Sequence, residues 1–126
     1  MIQPQPSKDW VPTALTVVLY FQAALAIFVG FASVLGMNSF AHTLEDGRRL
    51  GVGFWAFAVM LVALVIPQVR GNYLLLIVPL AWTAFHLAGS LFEFLVKGDT
   101  AFIPPVIIES VLLIAYGFFF GVLSRR

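Results

Sequence analysis

The stretch YLLLIVPLAWTAFHLAGSLFEFLV, residues 73–96, decides the class of this protein. It contains one charged side chain, Glu93. A hydrocarbon core about 30 Å thick is crossed by about 20 consecutive apolar helical residues, and this stretch is longer than that. Working outward, three further apolar stretches stand at about residues 13–36, 48–69 and 104–123. Hydrophobic residues make up 61% of the chain and charged residues 10%. A soluble domain carries about 25% charged residues, so this chain does not have the polar side chains to cover itself in water. The 126 residues suffice for one domain. Short connections favour antiparallel neighbours, which predicts an all-α integral membrane four-helix bundle of up-down-up-down topology over residues 13–126, behind a polar arm at 1–12.

The same composition removes several function classes. A net charge of +1 supplies no basic patch for nucleic acid. Without cysteine there are no disulfides, thiolate metal sites or cysteine nucleophiles. His42 and His86 lack a partner at zinc-ligand spacing, so no metal or cofactor is expected. No positively charged leader region precedes the first apolar stretch, which therefore reads as a retained helix.

Punctuation divides the helices. Pro4, Pro6 and Pro12 mark the arm. Thr43 and Asp46 fit a capping pattern, which would start the second helix before Arg48. Pro67 lies near its end, Gly71–Asn72 form a turn, and Pro79 is expected to kink the third helix. Pro104–Pro105 suit the first turn of the fourth. Trp10, Tyr73 and Trp55 read as interfacial anchors. Four crossings put both termini on one side, with Lys8, Arg70, Arg125 and Arg126 there and Arg48, Arg49 and Lys97 opposite. By the positive-inside rule this leans toward cytoplasmic termini.

Ionisable groups within a membrane cost about 2.5–3.5 kcal/mol at its centre even on lenient scales, so they are buried between helices, paired, neutralised or functional. Trp82, His86, Gly89, Ser90, Glu93 and Lys97 fall on one arc of the third helix. Glu93 and Glu109 lie at similar depth on adjacent antiparallel helices, and Arg48 and Arg49 enter from the same side. Gln22, on a small-residue face with Ala26, Val29 and Ser33, lies deeper, as does His86. Gln22, Arg48, Arg49, His86, Ser90, Glu93 and Glu109 thus form a candidate polar pocket opening toward the loops between helices 1 and 2 and helices 3 and 4. Arg49 shares its helix face with Gly53, Ala56, Met60 and Ala63 and is expected to turn inward onto the carboxylates. Two close carboxylates could share a proton, which would suit acid–base chemistry. The competing reading is structural: polar groups between membrane helices act as packing glue worth about 0.6 kcal/mol each, and Glu93 with Lys97 forms an i,i+4 ion pair.

Gly117 and Gly121 form a GxxxG pattern, read first as packing inside the bundle and otherwise as a dimerisation or docking face. Phe118, Phe119 and Phe120 read as lipid-facing and packing bulk, or as a groove for a flat ligand such as a quinone.

The chain resembles the DoxX-like group of small four-helix bacterial membrane proteins. The residues carrying the likeness are Gly47–Arg48–Arg49–Leu50–Gly51, Gly89–Ser90–Leu91–Phe92–Glu93, Lys97–Gly98–Asp99, and Pro104–Pro105 with Glu109. Arg48 matches the arginine that enters the second helix in that group. The resemblance implies a compact bundle in the bacterial inner membrane and, in some members, association with membrane oxidoreductase or quinol-oxidising assemblies. It supplies no catalytic residue set. On this reading the chain is a non-catalytic accessory or structural subunit, with a membrane-protein partner or a second copy of itself. The alternative is a small membrane enzyme or a lipid- or quinone-binding protein using His86, Glu93 and Glu109.

Overall fold

A computed structural model describes residues 10–37 and 43–126. Four helices long and apolar enough to cross a membrane follow one another: α1 (Trp10–Val34), α2 (Leu44–Gln68), α3 (Tyr73–Leu95) and α4 (Thr100–Ser124). The chain is an all-α integral membrane bundle, and its apolar outer surface belongs in a lipid bilayer. The arm, including Lys8, and the loop residue His42 lie outside the described residues.

Local chemistry sets the helix ends. Trp10, Val11 and Pro12 belong to α1 rather than to the arm, since proline is tolerated where the first-turn N–H has no partner. α1 stops at Gly36, whose φ of 79° only glycine adopts cheaply. There the Met37 N–H donates to the Ala32 carbonyl and the Gly36 N–H to the Ser33 carbonyl, a Schellman closure. Thr43 caps α2, its hydroxyl accepting from the Asp46 N–H at 3.1 Å. Within α2, residues Leu61–Val65 widen into a π turn. Pro67 follows within a turn: it cannot donate to residue 63 and its ring crowds that carbonyl, and the wider turn relieves both. α3 opens with a 3-10 turn, Tyr73–Leu76, and its α-helical part begins at Ile77. Pro79, expected from the sequence to kink this helix, falls in the first α turn, directly after the change from 3-10 to α geometry. α4 begins at Thr100 with a 3-10 turn capped by the Asp99 side chain, a few residues ahead of the proline pair.

The helices pair as two hairpins, α1 along α2 and α3 along α4. Close approach of the first pair depends on Gly30 and Gly51. A Cβ on Gly51 would stand 2.7 Å from the Gly30 carbonyl oxygen, and one on Gly30 would collide with the Trp55 indole. Trp55 is thus a packing residue at the α1–α2 seam rather than an interfacial anchor. Its Nε1 donates to the Ile27 carbonyl at 3.2 Å and its ring meets Phe31 edge-on. Between hairpins the bridges are side chains. Phe57 stacks on Trp82 with centroids 4.1 Å apart, and Trp10 lies over Phe118 at the end carrying both termini. The core runs through Leu15, Leu19, Phe57, Leu61, Leu76 and Tyr116.

Candidate functional site

Gln22 stands at the midpoint of α1 and is buried. Its amide is used on both sides. Nε2 donates to Thr83 Oγ1 at 2.8 Å, and Oε1 accepts from the Tyr116 hydroxyl at 2.5 Å. Thr83 lies near the midpoint of α3. Tyr116 lies about one turn beyond that of α4, and its side chain leans back toward the helix N-terminus and so toward the midplane. One side chain therefore ties α1 to both helices of the other hairpin at the centre of the membrane. Among the described residues no buried side-chain nitrogen or oxygen lacks a partner.

Above this floor, toward the α1–α2 and α3–α4 loops, a cavity of about 360 Å³ lies between the hairpins. Gln22, Thr83, His86 and Glu109 supply its polar wall. Phe54, Phe57 and Trp82 supply an aromatic wall, and Met37, Ala101 and Pro104 bring it to the loop end. His86 is packed by rings, with centroids 4.6 Å from Trp82, 5.1 Å from Phe54 and 5.6 Å from Phe85. Glu109 accepts from the buried Ser90 hydroxyl at 3.3 Å, a bond that spans α3 and α4.

The sequence-derived candidates separate here. Gln22, His86 and Glu109 line one cavity, and Ser90 reaches it through Glu109. Glu93 does not line it, and the expectation that Glu93 and Glu109 share a partner is corrected: Glu93 pairs with Lys97 at 3.1 Å, one turn on, and lies at the margin of the bundle. The arginine pairing is corrected too. Arg49 holds Glu45 at 2.8 Å with both side chains about three-quarters exposed, at 74% and 75%, and Arg48 is exposed. The inward face of α2 runs through Gly47, Gly51, Ala58, Leu61 and Val65, whereas Arg49 shares its face with exposed Ala56. Gly117 and Gly121 do not pack inside the bundle, since a Cβ on either would meet nothing within 4 Å. Phe118, Phe119 and Phe120 do not line the cavity.

Neither family models, curated proteins nor solved structures give a match to this chain. The site therefore stands on its own geometry. Sequence reasoning missed Thr83 and Tyr116. Each is a lone hydroxyl in an apolar run, and the only available signal was Gln22: a midplane amide requires partners, and hydroxyls at matching depth on the other helices supply them. It also missed Phe54 and Phe57, which carry no signal beyond hydrophobicity.

Proposed function

We propose that this protein binds a small, largely apolar molecule with a polar head inside the bilayer, between its two hairpins. The observation that carries this reading is the cavity running from the midplane to the loop end, with Gln22, His86 and Glu109 contributed by three different helices. Its volume of about 360 Å³ falls in the range of ligand pockets, about 300–1,000 Å³, and a mostly apolar lining with a few converging polar groups is their usual composition. Packing glue alone accounts for the Gln22 contacts but leaves no reason for a cavity beside them. The likeness to the DoxX-like group supports placing the chain in the bacterial cytoplasmic membrane, and the arginines at the termini side support cytoplasmic termini.

A second reading, an accessory subunit of a larger membrane complex or a homo-oligomer, is favoured by the outward Gly117 and Gly121, which leave α4 open to close approach by another helix. The test of the first reading is mass spectrometry of the protein extracted in mild detergent, beside the Ala32→Trp variant, which fills the cavity near its mouth. One amphiphile at stoichiometric occupancy, lost in the variant, is the expected result. Bulk lipids bound equally to both proteins would defeat it.

A further inference from the structure

The charge of the cavity wall narrows its ligand. Among the described residues Glu109 is the one acidic side chain in the lining, and neither lysine nor arginine lines it. Of the basic groups at the loop end of the bundle, Lys97 pairs with Glu93, Arg49 pairs with Glu45, and Arg48 is exposed. His86, the other titratable group in the wall, lies against aromatic rings and is not hydrogen-bonded to Glu109. Ser90 donates to one carboxylate oxygen, Oε2. Charge inside a membrane is tolerated when a counter-charge accompanies it, and no residue of the lining provides one as a fixed cation.

The facing wall suits a cation as well. Phe54, Phe57, Trp82 and His86 form one connected cluster. Phe57 lies flat on Trp82, and Phe54 meets Trp82 edge-on at 5.5 Å. Aromatic clusters attract cations through the negative faces of their rings, and they do so most strongly where water is excluded. The deeper polar groups, Gln22, Thr83 and Tyr116, are hydrogen-bonded to one another.

We propose that the cavity takes a lipophilic organic cation, its ammonium group held between the Glu109 carboxylate and the rings of Phe54, Trp82 and His86. The proposal rests on the reading of the cavity as a ligand site and names the ligand's class. A neutral quinone would draw no electrostatic attraction from an ionised Glu109. A phosphate-bearing head would face a carboxylate with no lysine or arginine in the wall. The ammonium could belong to a free amine or to the choline of a phospholipid. The absence of lysine and arginine for a phosphate assigns it to a free cation.

The test uses the full chain in phosphatidylglycerol nanodiscs, titrated with a phenylalkyl trimethylammonium salt and with its uncharged carbon isostere. The wild-type protein is expected to bind the cation about tenfold or more tightly than the isostere. Glu109→Gln should bring the two affinities together by weakening only the cation, and Ala32→Trp should abolish both. Equal wild-type affinities, with both lost in Ala32→Trp, would overturn the cation assignment and leave the ligand-site reading intact. Binding of neither probe, or equal binding to Ala32→Trp, would overturn the ligand-site reading itself. The wild-type comparison needs no variant, so a misfolded Glu109→Gln does not blunt it. Undiminished cation binding in phosphatidylcholine nanodiscs supports a free cation. Its loss there assigns the site to choline headgroups and overturns the free-ligand form.

Discussion

A primary amide at the bilayer centre has no water to satisfy it, so Gln22 determines which residues of the other hairpin must face α1. Thr83 and Tyr116 meet that demand from α3 and α4. Removing the Tyr116 hydroxyl leaves the Gln22 carbonyl oxygen buried and unpaired, which costs more than the hydrogen bond alone contributed. Tyr116→Phe should therefore lower stability by about 1 kcal/mol, since interhelical hydrogen bonds in membranes average about 0.6 kcal/mol and reach about 1.7 kcal/mol. Combining it with Gln22→Leu should cost less than the two changes summed, because the orphaned carbonyl oxygen is gone. Unfolding titrations of the three variants in mixed micelles measure this, and strictly additive losses would show that the two residues do not act as a pair. At this scale the sequence was readable where an amide, imidazole or carboxyl group interrupts an apolar run, as at Gln22, His86 and Glu109, and not where a lone hydroxyl does, as at Thr83 and Tyr116. It misled at Arg49. An arginine at a helix entrance can turn inward or outward at similar cost, and Glu45 one turn earlier already offered it a partner in the exposed direction.

At the scale of elements, the apolar runs fixed the number and order of the helices, because span length is a property of the bilayer and not of neighbouring residues. Which glycines serve as contact points was not legible. Gly117–Gly121 matches the familiar spacing yet faces outward, whereas Gly30 and Gly51 lie on different helices, so no pattern within one helix announces them. Only the α1–α2 register brings them together. Gly51→Ala places a methyl group 2.7 Å from a backbone carbonyl oxygen that cannot swing aside. It should cost about 1–3 kcal/mol, the usual range for overpacking, and lower the melting temperature in detergent. Gly117→Ala, with open space around it, should change stability by less than about 0.5 kcal/mol. Gly117→Leu should be equally well folded, and it removes close helix approach if a partner docks on α4. Equal melting shifts for Gly51→Ala and Gly117→Ala would mean that the α1–α2 seam is looser than the structure has it. Gly117→Leu co-purifying with the same proteins as wild type would count against the accessory reading.

For the whole molecule, the aromatic bridges and the Gln22 bonds join two tightly paired hairpins, and the cavity between them extends to the end that carries the α1–α2 and α3–α4 loops. Which membrane face that end meets follows from the charges flanking the helices. Four crossings place both termini and the α2–α3 turn together, with Arg70, Arg125 and Arg126 on that side among the described residues. Arg48, Arg49 and Lys97 lie on the other, where Glu45 and Glu93 pair two of them. Acidic residues contribute little to topology, so the positive-inside rule counts the cations, and with Lys8 of the arm the termini side leads by four to three. Orientation is accordingly poised. A reporter active only in the cytoplasm, fused after Arg126, should be active in wild type, which would place the cavity mouth on the opposite face, toward the exterior. Two lysines inserted beside Gly98 reverse the excess and should yield a mixed or inverted population. The paired reporter active only outside the membrane then gains signal at the same terminus. An inactive cytoplasmic reporter on the wild-type chain would invert the assignment and turn the cavity mouth toward the cytoplasm. Insensitivity to the added lysines would mean that something other than the loop cations orients the bundle.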